Sequence, residues 1–104
     1  MDLSFTFDAE LWLSSVEGSW VFLTVPEDIS DEIDDAVATK GGFGSVKVDA
    51  TIGGTSWSTS LFPDTKAGAY ILPVKKAVRT AESVDIGDGV TVQLRPTPAE
   101  PLGP

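Results

Sequence analysis

Leu3, Phe5, Phe7, Ala9, Leu11 and Leu13 alternate with Ser4, Thr6, Asp8, Glu10 and Trp12. Side chains two apart share a face of an extended chain, so the pattern predicts a half-buried strand over 3–13. Ser14 to Gly18 reads as a turn. Ser19 to Val25 is apolar on both faces, as in a central strand, and Pro26 ends it because proline brings no N–H to a ladder. The period then changes. Ile29, Ile33, Ala36 and Val37 fall on one helical face. Asp28 or Ser30 is expected to cap this helix, Asp31 and Glu32 suit the positive end of its dipole, and Lys40-Gly41 supplies the stop. A loop follows over Gly41-Gly42-Phe43-Gly44.

The sharpest local signal is Gly53-Gly54 between two alternating runs. A two-residue type I′ turn there sets Ile52 opposite Thr55, Ala50 opposite Trp57, Val48 opposite Thr59 and Val46 opposite Leu61. One mainly apolar face results, with Lys47, Asp49, Thr51, Ser56, Ser58 and Ser60 on the other. A slip by one residue would mix the faces, so the register is well specified. Phe62 to Gly68 reads as a loop and Ala69 to Val74 as a short strand interrupted by Pro73. Val74, Val78 and Ala81 predict a short helix to about Ser83. Ile86-Gly87-Asp88-Gly89 is a tight turn into a last strand, Val90 to Leu94. Residues 96–104 hold four of the seven prolines and read as a disordered tail after one domain over 1–95. Trp20 and Trp57 are expected in the core. Trp12 lies on the polar side of its strand, where it covers the outside of the fold or marks a contact surface.

Several of these pieces, in this order, resemble the bacterial and archaeal domain-of-unknown-function family 1905. They are the opening amphipathic strand, Val25-Pro26 before the acidic helix, the Gly-Gly hairpin and Ser60-Leu61-Phe62-Pro63. Next come Gly68-Ala69-Tyr70 with Leu72-Pro73-Val74, Lys76-Ala77-Val78-Arg79, and Gly87-Asp88 before the final strand. The resemblance covers about residues 3–95. It implies a mainly β fold, a small double-split (pseudo) β-barrel of about six strands with two short capping helices. It implies no function. Leu72 to Leu94 is also faintly similar to the strand–helix–Gly-Asp–strand unit of swapped-hairpin transcription factors, a likeness of fold only.

Charge narrows the partners. Sixteen acids against seven bases give −9 over 104 residues. Nucleic-acid affinity comes mainly from Lys and Arg displacing counterions, so a DNA-binding regulator is disfavoured, as is an anionic membrane surface. No apolar run approaches a membrane span, and the start lacks the basic-then-apolar pattern of a secretory signal. The chain is expected to be cytoplasmic.

With no histidine and no cysteine, Ser-His-Asp and Cys-His catalysis and Cys/His zinc sites are excluded. No catalytic, cofactor or metal residue is assigned, and the expected class is a non-enzymatic binding or interaction domain. The alternatives are the DNA-binding regulator and an enzyme without a readable motif. Glu27, Asp28, Asp31, Glu32, Asp34 and Asp35 form a cation site or basic-partner surface on one reading and a solvated helix face on the favoured one. Lys40 precedes its glycines and a strand follows, the reverse of a phosphate-binding loop, so a plain loop is favoured. Asp85 and Asp88 fit a tight turn. Lys75, Lys76 and Arg79 put three of the seven bases within five residues, with Lys75 and Arg79 on one helical face. They are the candidate ligand-binding residues, for a small anion or an acidic protein partner. The favoured account on the residues alone is ion pairing with the acidic helix, or plain solvation.

Overall fold

The structure, a computed structural model, describes residues 4–14, 20–37 and 44–97. Its elements are β1 (Phe5–Glu10), β2 (Trp12–Leu13), β3 (Val21–Thr24), α1 (Glu27–Ala36), β4 (Val46–Ile52), β5 (Thr55–Asp64), β6 (Ala69–Pro73), α2 (Lys76–Glu82) and β7 (Gly89–Pro96). All ladders are antiparallel, in the order β1-β7-β4-β5-β6-β3-β2. The two outermost strands are consecutive in the chain, with only Leu11 between them. One segment therefore passes from one edge of the sheet to the other and nearly closes it into a barrel. The fold is mainly β and barrel-like with two helices, as the resemblance implies.

The described residues form seven strands and not six, because the opening strand is two. β1 pairs with β7 and β2 with β3. Between them the Leu11 N–H donates to Asp88 O, and the Gly87 N–H donates to Leu11 O. Leu11 is thereby held on the turn before β7, with its side chain 1% exposed, while the chain crosses to β3. The alternation that predicts Leu13 inside fails here. Leu13 sits opposite Val21 on an edge strand, has no strand beyond it, and is 49% exposed.

The hairpin register is as expected from the sequence at all four apolar rungs. The turn is not type I′, however. Gly53 has φ +59°, whereas Gly54 is outside the left-handed region, the pattern of a type II′ turn, which needs only its first central residue there. Val46, Val48, Ala50 and Ile52 of β4 share the inner face of the sheet with Val90, Val92 and Leu94 of the neighbouring β7, and Leu61 and Leu72 join them in the core. Ile33 of α1 and Val78 of α2 are buried against this core.

β5 continues through Phe62, Pro63 and Asp64, which pair with Ile71, Tyr70 and Ala69. The segment read as a loop is thus partly strand. Pro63 is tolerated because the β4 ladder stops at Leu61, so no ladder bond is wanted on that side. Pro73 ends β6 in the same way, opposite Phe22 and past the last β5 rung. β7 likewise takes in Pro96, opposite Val48. α1 has Pro26 at its N-cap and no side-chain cap bond, so neither Asp28 nor Ser30 caps it. The Ser30 hydroxyl is one turn in, where it donates to Val25 O (3.3 Å) and accepts the Tyr70 N–H (3.1 Å). The turn at 15–18, the stop at Lys40-Gly41, most of the glycine loop and the tail from 98 lie outside the described residues.

A basic cleft lined by two tryptophans

β6 delivers the chain to the candidate site. The Val74 N–H donates to Val21 O (2.9 Å), which ties the end of β6 beside the start of β3. Lys75 follows as the N-cap of α2, Lys76 is its first residue and Arg79 lies one turn on. All three line one cleft of about 320 Å³, with Trp20 on the β3 side and Trp57 on the β5 side. The structure therefore brings the three predicted bases together. Arg79 is held in place: its Nε–H donates to Val74 O (3.2 Å), and Nη1 lies 3.7 Å from Asp85 Oδ1. The Asp85 side chain is 75% exposed, so water screens that pair. Among the described residues neither Lys75 nor Lys76 has a carboxylate within 4.0 Å. The expected competitor, pairing with the acidic helix, is absent among those residues. Asp31 and Asp34 of α1 line a different cleft, with Asp64 and Tyr70. α2 spans only seven residues, so the side-chain cations, and not a helix dipole, set the field.

A family model for a domain of unknown function, DUF1905, matches residues 7–94. The chain belongs to that family. The match takes in every residue of the cleft. No curated protein matches the chain.

Elsewhere in this DUF1905 domain the candidate chemistry thins out. Asp28, Asp31, Glu32 and Asp35 are exposed, and no group of three or more metal-ligating side chains is present among the described residues. Asp88 Oδ2 accepts the Asp85 N–H and Asp85 Oδ1 accepts the Ile86 N–H, so both acids serve the turn. The buried Tyr70 hydroxyl donates to Asp34 Oδ1 (2.9 Å). Burial, then that bond and the Asp34 charge, push its pKa up to about 12, and the bond fastens α1 to β6. No helix among the described residues is long and apolar enough to cross a membrane.

The tryptophans divide differently from the sequence reading. Trp57 is half-buried against the core, as expected. Trp12 covers the outside of the barrel, its indole N–H donating to Thr24 Oγ1 (3.0 Å). Trp20 is not in the core but 59% exposed. A barrel wall buries only one face, and Val21, Leu23 and Val25 take it, leaving Trp20 and Phe22 outside. The phase of Val21, Leu23 and Val25 already held that signal. The Trp20 ring stacks at 6.1 Å on Phe22, which packs at 5.3 Å against Trp12.

Proposed function

We propose that this DUF1905 domain is a non-enzymatic binding module whose cleft at Lys75, Lys76 and Arg79 receives an anionic group. One observation carries this. A chain with a net charge of −9 gathers three of its seven bases in one cleft, two of them without a carboxylate partner among the described residues. Converging like charges oppose one another unless an anion enters. The absence of His and Cys supports binding over catalysis. A cysteine-free acidic chain also fits a cytoplasmic setting.

Phosphate and sulfate test the reading. A ligand that binds only the native state raises the melting temperature with the logarithm of its concentration once that exceeds the dissociation constant. The rise should disappear in the Lys76→Gln/Arg79→Gln double variant. A rise that survives the substitutions is general salt exclusion and rejects the site.

A further inference from the structure

We infer that the anionic group received by this cleft is borne on a flat aromatic ring, in a molecule of mononucleotide size. The inference rests on the cleft being an anion site and adds the chemistry of the rest of the ligand. Bare phosphate would need only the cations. The cleft also places two indoles on its walls, and Trp20 gives up burial to stand there, at 59% exposure. Its orientation is set from one side by the stack on Phe22. Trp57 is set by its rung opposite Ala50, which is fully buried. Two positioned indoles beside three cations match a π-face linked to a negative charge, since bases stack on aromatic side chains while the phosphate meets Lys and Arg.

The opposite charge class does not fit. An aromatic cage for an ammonium group relies on the negative ring faces with no competing cations. Here, among the described residues, no acid lines the cleft and three bases do. Size argues against a large ligand. A volume of about 320 Å³ lies at the low end of ligand pockets, enough for one ring system and its anionic substituent.

Calorimetric titration of the whole chain with adenosine monophosphate, adenosine, inorganic phosphate and an eight-residue oligothymidylate tests the inference. Adenosine monophosphate should bind at least about fivefold tighter than phosphate, the lower end of what one stacked base contributes. Adenosine should be weaker than its monophosphate. Trp20→Leu should bring the monophosphate to within about twofold of phosphate, both titrated against the same variant, and the exposed position keeps the variant folded, as its melting curve will show. Equal binding of monophosphate and phosphate overturns the ring and leaves the anion site standing. Binding of neither rejects both. An oligothymidylate more than tenfold tighter than the monophosphate overturns the small-ligand assignment in favour of a single strand.

Discussion

The carboxylate of Glu82 occupies the space that a Cβ on Gly53 would need. The same carboxylate accepts a 2.5 Å hydrogen bond from the Thr55 hydroxyl, so the end of α2 is clipped onto the tip of the β4–β5 hairpin. Gly53→Ala must therefore both strain a residue at φ +59° and displace that carboxylate. We expect a loss of about 2 kcal/mol, combining the left-handed penalty with a charge-assisted hydrogen bond. Gly54→Ala meets nothing within 4 Å and should stay within about 0.5 kcal/mol. Urea unfolding of the two variants measures the contrast.

Leu11 and Leu13 carry the same residue type in the same alternation, yet their substitutions should differ widely. Leu11→Ala empties a fully enclosed position at the crossing between β1 and β2 and should cost about 3 kcal/mol. Leu13→Ala should cost under about 1 kcal/mol, since half the side chain already meets water. Equal losses in denaturant unfolding would contradict the break at Leu11.

Tyr70 makes alkaline stability predictable in sign. Its folded pKa, about 12, exceeds the ordinary 10.0, so the native state holds its proton more tightly than the unfolded chain does. The contribution is complete below pH 10 and disappears as pH rises to about 12. Tyr70→Phe should flatten that stretch of the stability curve while losing roughly 1 kcal/mol at neutral pH with the Asp34 bond. Tyrosinate absorbance, unambiguous in a chain with one tyrosine, reads the midpoint directly.

Duplex DNA should not bind at physiological salt, because the net charge is −9 and seven bases serve the whole chain. Fluorescence anisotropy with a labelled duplex checks this. A dissociation constant at or below about 10⁻⁶ M would contradict it, since that is the strong end of non-specific binding.

What the sequence made legible follows a physical divide. The hairpin register was readable because a two-residue turn and a period-two pattern constrain the same rungs, from Val46↔Leu61 to Ile52↔Thr55. The three bases of the cleft were readable because they fall within five residues on one strand-to-helix junction. The strand through Pro63 was not readable, since a proline is tolerated where no neighbour wants its N–H, and the end of β4 cannot be seen from the sequence of β5. Trp20 misled because Ser19 to Val25 reads as apolar on both faces, whereas only the face of Val21, Leu23 and Val25 is buried. Its place in the cleft depends on β3 lying beside the end of β6, fifty residues away, which no local pattern contains.

The crossing at Leu11 also bears on self-association. An exposed sheet edge is a template on which another chain can add a strand. Here the two edges are successive pieces of one short segment, six residues on one side of the crossing and two on the other. Neither piece offers a long flat ladder, and the longer one carries Asp8 and Glu10 at outward positions. An incoming strand would have to follow β1 and then lose its template as the chain turns away toward β3. The device that nearly closes the barrel thus also guards it against edge-to-edge aggregation, in a protein with no disulfide to hold it shut.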